Sequence, residues 1–512
     1  MSALSPSERA RRRQLVVAAL TSQDLAGIVD LVVWVEGDSA VAANATGTVE
    51  LRPDGSVAVR SGTNPIASQD PMAFLPYPLE LASPAPATSR ANAYPYAARR
   101  IRSLFADPSR SPDVAVVHTP RHRFLQEGGH VGEHGSLDVI QSRAPLLLSG
   151  PGVAPVGLVD DHARLVDVGP TLAVLAGVPA ADLADAFGDP LDGAELAAYL
   201  RLAELPDPPV VVGMLWDGAH CGELLRLAEG GELRGVARLL DRGVALRGGA
   251  VAEFPSVTLT NHASILTGVG PGRHGVLGNV FYDRETGERV VPNDAATWHR
   301  SAQWLRPGVR TVFELVNTAV ATGTGPGGAD TPRTAAVDEA VDRGADYSTM
   351  ALVRASGGAD GAAGLDGLLP DASQSPNVSL PAALDDAYYR WGTRVDDAGL
   401  QQMLQLFGGG VPPRLTWWST VVTDAGHHGG GPRSELATAS LRDADTRLCS
   451  FLAHLERAGL FHQVSFLLTA DHGFEGTDPG VTGSWRPALD ALGLPYRDEG
   501  PGFVYLLADR PG

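Results

Sequence analysis

The stretch Val210-Val-Val-Gly-Met-Leu-Trp-Asp-Gly218 is an apolar run that stops abruptly at a carboxylate. An apolar run of this length, without polar alternation, is the pattern of a strand covered on both faces, as in a parallel sheet. The acid at its end then lies at the carboxyl edge of the sheet, where open α/β sheets bind ligands. The pattern returns downstream: Leu415–Val422 runs into Asp424-Ala-Gly-His-His428, and Val464–Leu468 into Asp471-His472-Gly473. Helical patterns over 221–242, 384–407 and 433–458 fill the intervals. The alternation predicts an α/β fold, a mainly parallel sheet with helices on both faces.

Between the first two strands lies Phe254-Pro-Ser-Val-Thr258-Leu-Thr-Asn-His262. Thr258 falls where a loop turns into a helix, beside the free N–H groups of a helix start, a seat for phosphate. A threonine there is commonly just a cap. This one has company. Asp217, Asp424, His428, Asp471, His472 and His134, the last in Gly132-Glu-His-Gly135, each fall in a short loop just after an apolar strand-like run. Together they offer enough oxygen and nitrogen for two divalent cations around one hydroxyl. Asp and His ligands suit zinc, with manganese as the alternative.

The 512 residues include 40 basic and 59 acidic side chains, a net charge of −19. That balance argues against a nucleic-acid duplex or an anionic membrane as partner. It leaves a small-molecule phosphate ester open, because bound cations dominate the local field. No lysine occurs. Cys221 and Cys449 make no disulfide framework, so a reducing, cytoplasmic setting is expected. Gln14–Leu20, after Arg11–Arg13, reads as part of an amphipathic helix, and no run approaches the ~20 apolar residues of a membrane span.

The first two hundred residues differ in texture. A strand is expected over Asp30–Glu36, a hairpin over 49–52 and 56–60 about Pro-Asp-Gly, a Pro-rich loop over 65–88, and strands over 113–118 and 144–148. We expect a small α+β lobe over 1–110, a second unit over 111–208, and the main core over 209–512. A capping insertion is expected at about 283–410, with Gly-rich loops near 323–330 and 356–364. Trp417 and Trp418, adjacent in a strand, must face opposite ways, and core packing is their expected role.

Asp217-Gly218, the Phe254-Pro255…Thr258…Asn261-His262 string, Arg273-His274-Gly275, Asp424…His428…Pro432 and Asp471-His472-Gly473 resemble the alkaline phosphatase superfamily, and within it the type I phosphodiesterase/nucleotide pyrophosphatase branch. The similarity covers most of 209–512. It implies an alkaline-phosphatase-like fold, with Asp217, Thr258, Asp471 and His472 around one zinc and Asp424 and His428 as two of three ligands to another. Asn261 would hydrogen-bond a phosphoryl oxygen, and Thr258 would be the nucleophile. Two features depart from the family: Thr260 stands where proline is frequent, and no histidine follows His472 to complete the second site.

The missing ligand has a counterpart near the other end of the chain. Gly132-Glu-His134-Gly135-Ser, Arg143–Gly150 and Val166–Leu172 resemble the family's C-terminal portion. The chain therefore reads as circularly permuted, the usual end joined to the usual beginning near 200–210. This requires His134 to stand beside Asp424, and Phe503–Ala508 to share a sheet or lobe with Asp30–Glu36. His118, His122, His130 and His427 compete with His134 for the ligand role; His262 and His274 read as bracing residues. The implied activity is hydrolysis of a phosphodiester or nucleotide pyrophosphate through a phosphothreonine. The alternatives are a phosphomonoesterase, a C–P hydrolase similar to phosphonoacetate hydrolase, and a non-catalytic metal-binding scaffold.

Overall fold

Every residue of the strands Leu415–Thr420 and Val464–Thr469 is buried, and so is all of Val210–Trp216 except its first residue. Successive side chains of a strand point to opposite faces, so both faces of this sheet are covered. The computed structural model describes residues 4–82, 92–322, 332–357, 361–367, 369–500 and 502–509. Its main sheet has eight strands in the order 347–348, 334–337, 415–420, 210–216, 464–469, 146–149, 243–246, 157–159. All neighbours pair in parallel except around Leu146–Ser149, which runs against both strands beside it.

Trp417 lies across Gly213, where even a Cβ would come within 2.3 Å of its ring. Trp418 packs edge-on to Phe451 at 6.0 Å. Both indoles belong to the core, as expected.

Two boundaries move. The stretch 283–410 is not one cap: Thr334–Val337 pairs in parallel with Leu415–Thr420 inside the main sheet, all four residues fully buried. A strand of Thr-Ala-Ala-Val is too short and too small-sided to stand out in sequence. The helices Thr349–Gly357 and Gly361–Asp366 take up 356–357 and 361–364 of the loop expected over 356–364, and 358–360 lie outside the described residues. The loop expected at 323–330 lies outside the described residues. The helix Ala387–Leu406, capped by Asp386 accepting from the Tyr389 N–H, agrees closely with the pattern over 384–407.

The lobe extends well beyond residue 110. Its seven-stranded antiparallel sheet runs 496–499, 503–506, 114–118, 29–36, 39–44, 47–51, 57–62. The hairpin about Pro-Asp-Gly forms as read, with Leu51 opposite Val57. Phe503–Leu506 and Val29–Glu36 share this sheet, one strand apart. The helix Pro6–Leu20 buries Arg12, Val16 and Leu20. Arg12 also donates to the Leu507 carbonyl and pairs with Asp509, each at 2.8 Å, so the two described ends of the chain touch. The Pro-rich stretch 65–88 is turns and a short helix, Tyr77–Leu81, as far as residue 82; its residues from 83 on lie outside the described residues. Among the described residues no helix is long and apolar enough to cross a membrane.

Candidate active site

Four neighbouring parallel strands, Thr334–Val337, Leu415–Thr420, Val210–Trp216 and Val464–Thr469, end side by side and lead respectively to Glu339, Asp424, Asp217 and Asp471. Register sets Trp216 against Thr420 and Leu215 against Thr469, so the loops carrying these acids leave the sheet together. Gly218, at φ +62°, turns the chain directly after Asp217. A side chain there is strained by that φ and would stand 2.3 Å from Phe474 and 3.0 Å from Asp424 Oδ1. The Gly218 N–H donates to Asp471 Oδ1 at 3.0 Å.

The expected ligands fall into two groups. Asp217, Asp471 and His472 bring ligand atoms within 4.8 Å of one another; His134, Asp424 and His428 do the same. His472 Nε2 lies 3.2 Å from Asp471 Oδ2 and 3.7 Å from Asp217 Oδ1. His428 Nε2 lies 3.5 Å from Asp424 Oδ1. The rings of His134 and His472 stack at 3.6 Å and so join the two groups. His134, almost three hundred residues from Asp424 in sequence, shares a ligand group with it.

Each imidazole turns Nδ1 to a backbone carbonyl: His134 to Ser256 at 3.0 Å, His428 to Gly132 at 2.9 Å, His472 to Gly473 at 3.1 Å. A carbonyl only accepts, so Nδ1 carries the proton and Nε2 keeps its lone pair, the arrangement of metal-ligating histidines. Two of the carboxylates are likewise held by one oxygen. Asp424 Oδ2 accepts from the Tyr388 hydroxyl at 2.7 Å, and Asp471 Oδ1 from Gly218. Their other oxygens, with Asp217 Oδ1 and His472 Nε2, are buried and have no hydrogen-bond partner. Burial, then the charges of Asp471 and Asp424, push the Asp217 carboxyl well above its ordinary range. Burial, then His472 and His428, hold His134 well below its own. Three buried carboxylates facing imidazole lone pairs are costly alone and resolved by cations, and the donor set fits two divalent ions of borderline softness.

Of the rival histidines, His130 comes nearest. Its ring is 4.3 Å from His428, and with Glu133 it forms a third ligand group that reuses His428. His118 and His122 pack around Phe124. His427 gives Nδ1 to the Thr423 carbonyl and joins no ligand group among the described residues. His274 braces a loop, bonding Ser264 Oγ and the Val276 N–H.

Thr258 opens the helix Thr258–Thr267 and lines a cavity of about 540 Å³ together with Asp217, Asp424, His134 and His428. Its loop is laced to the His134 loop, because Ser256 Oγ accepts from the Gly135 N–H and donates to the Ser136 carbonyl. Asn261 is not among the residues lining that cavity. Fully buried, it accepts from the Glu253 N–H and donates to the carbonyls of Pro255 and Val257. Its carboxamide braces the Thr258 loop and is spent on backbone. Asn279, which sequence reading passed over, lines the cavity instead and accepts from the Leu259 N–H at 3.1 Å. Tyr388, Trp391 and Trp298, also unread in sequence, form the aromatic wall. A second cavity of about 430 Å³ shares His130, His134, Asn279 and His428 and is walled by Phe254, Phe503, Arg289 and Arg486.

A sequence model of the Type I phosphodiesterase / nucleotide pyrophosphatase family matches residues 211–506. Alkaline phosphatase PafA of Elizabethkingia meningoseptica is 36% identical over 86 residues, 17% of this chain and 16% of that protein. Ectonucleotide pyrophosphatase/phosphodiesterase 2 of Saccharomyces cerevisiae is 39% identical over 54 residues, 10% of this chain and 11% of that protein. The chain thus spans only a small part of the length of the curated relatives it matches. Among solved structures, murine ectonucleotide pyrophosphatase / phosphodiesterase 5 aligns with TM-score 0.36 and 17% identity over 51% of this chain and 57% of that one. Phosphonoacetate hydrolase from Sinorhizobium meliloti 1021 aligns with TM-score 0.31 and 23% identity over 52% and 57%.

Proposed function

The chain belongs to the type I phosphodiesterase/nucleotide pyrophosphatase family, and from that premise we propose that it hydrolyses a small-molecule phosphodiester or nucleotide pyrophosphate through a phosphothreonine at Thr258. One observation carries the reading: two three-residue ligand groups, joined by the His134–His472 stack, border the cavity that Thr258 lines. Asp217, Asp471, His472 and Thr258 would hold one zinc, and His134, Asp424 and His428 the other. Divalent cations held there supply Lewis acidity, lowering the pKa of a bound hydroxyl or water and offsetting charge on a leaving oxygen.

The chain's own residues do the rest. The first turn of the Thr258 helix turns backbone N–H groups toward the anionic phosphoryl group. Asn279, beside that turn, is placed to bind a phosphoryl oxygen. Thr258 Oγ, its proton released to water, attacks phosphorus, and the bond to the leaving oxygen breaks as the new P–O bond forms, that oxygen taking up a proton from water. Water then attacks the phosphothreonine, releasing the second product and restoring the hydroxyl. Two cavities that share His134, His428 and Asn279, one of them lined by Thr258, favour a phosphorus with two substituents over a monoester, with an aromatic or apolar arm against Trp298 and Trp391 and a polar arm near Arg289 and Arg486.

The arrangement also supports the permuted order. The loop Gly132–Glu133 pairs with Glu475–Gly476, and Leu146–Ser149 pairs with Val464–Thr469.

The zinc-loaded protein should show higher kcat/KM on bis-p-nitrophenyl phosphate than on p-nitrophenyl phosphate. The reverse preference makes it a monoesterase. Thr258→Ala should cut turnover by roughly a thousandfold or more, an order-of-magnitude expectation for a lost nucleophile, with zinc content still near two per chain. Near-normal turnover removes Thr258 from the mechanism. Two bound zincs with no ester hydrolysis would mark a binding scaffold.

A further inference from the structure

The most completely satisfied buried charge near the site is Glu339, a residue the ligand groups do not use. It is fully buried. Its carboxylate accepts from His262 Nδ1 at 2.9 and 3.1 Å, Trp417 Nε1 at 2.9 Å, Ser419 Oγ at 2.8 Å and the Val341 N–H at 2.7 Å. Donors from a helix, a strand and its own loop fix this carboxylate in one place, and it fixes His262 in turn.

His262 is four residues after Thr258, so both lie on one face of the same helix. Its ring is 1% exposed and turns its other nitrogen away from Glu339. That Nε2 lies 3.9 Å from Asp471 Oδ2. Neither atom has a hydrogen-bond partner. Oδ2 is also the oxygen that His472 Nε2 approaches to 3.2 Å within the Asp217–Asp471–His472 group. His262 therefore stands between two buried carboxylates, one anchored in the core and one at the proposed cation site.

We propose that Glu339 and His262 are a positioning pair for the Asp471 cation site. Glu339 locks the orientation of the imidazole, and the imidazole, packed 3.9 Å behind Asp471 Oδ2, limits how far that carboxylate can swing away from the cation, on the helix that also carries the nucleophile. This rests on the two-cation reading above. It is specific to one site, because the ligand oxygen that His262 Nε2 approaches is Asp471 Oδ2, a member of the Asp217–Asp471–His472 group. Partners behind a metal ligand commonly change metal affinity by about 10–100-fold when removed.

The test is zinc competition titration of the full chain against a chelator, with the heat stability of the zinc-free protein as the folding control. Wild type should bind two zincs; if it does not, the two-cation reading fails and this inference falls with it. His262→Ala should weaken one of the two by about 10–100-fold and leave the other within about threefold. His262→Gln, which restores an amide near the position of Nε2, should recover much of the loss, and Glu339→Gln should weaken the same zinc. In a His134→Ala background the zinc that remains should be the one His262→Ala weakens. Unchanged affinities for both zincs in His262→Ala and His262→Gln overturn the proposal. So does equal weakening of both zincs in step with lost zinc-free stability, which would make the pair only structural.

Discussion

The two ligand groups are close in composition, two Asp and one His against one Asp and two His, but they are held differently. Asp217, Asp471 and His472 leave the ends of two adjacent strands whose pairing sets Leu215 against Thr469. The sheet itself brings them together, and Glu339 and His262 lie behind them. His134, Asp424 and His428 combine one strand-end helix, Val422–Gly430, with a loop from far away in the chain. That loop is fastened by the two-residue pairing of Gly132–Glu133 with Glu475–Gly476, by Ser256, and by the close approach of Gly132, where a Cβ would stand 2.3 Å from the His427 carbonyl oxygen. A site fixed by sheet register inherits the rigidity of the core. A site completed by a loop depends on a few tethers, and should lose its cation first.

The sharpest way to break this contrast is His134→Ala. It should reduce bound zinc from two to one and lower diester turnover on the order of a hundredfold or more, read by metal analysis and kcat/KM. Two zincs retained at wild-type affinity would remove His134 from the ligand set, and with it the main support for a permuted chain. Ser256→Ala cuts a tether and no ligand. We expect about tenfold weaker binding of the second zinc alone, measured by the same competition titration; equal weakening of both zincs would show that the loops move as one body.

A further effect, away from the metal ligands, is on stability. Burial raises the Glu253 carboxyl, at the base of the Thr258 loop, from 4.5 to about 7. The folded chain thus keeps a proton that the unfolded chain gives up, so this group costs stability as pH rises from about 4.5 to 7, up to about 3 kcal/mol in all. Glu253→Gln should therefore stabilise the protein at pH 8 relative to pH 5, seen as a smaller fall in melting temperature between the two. An unchanged pH slope would mean that Glu253 is not the source.

Legibility in the sequence followed strand ends. Asp217, Asp424, His428, Asp471 and His472 could be read because each follows an apolar run, and the structure brings each into a ligand group. His134 was read with them, but its choice over His118, His122, His130 and His427 rested on resemblance to a family segment. Asn261 and Asn279 show a different limit. Both sit near Thr258, but a helix start and a loop 21 residues later offer no sequence signal for which carboxamide meets the cavity. Glu339 was hidden because the strand before it is four small residues inside a stretch that reads as a cap. Tyr388 and Trp391 lie on a helix whose pattern was plain, but the direction of its exposed face was not.

By itself the sequence determined the local pieces: apolar runs long enough to be doubly covered strands, carboxylates at their ends, a threonine at a helix start, and too few cysteines for a disulfide framework. Those follow from side-chain chemistry and periodicity, which act over a few residues. Only the tertiary structure decided which pieces meet. Seating Leu146–Ser149 between Val464–Thr469 and Gly243–Leu246, and joining Phe503–Leu506 to Val114–His118, are long-range pairings. Their stability comes from backbone hydrogen bonds and apolar burial between segments far apart in the chain, and no local pattern records that.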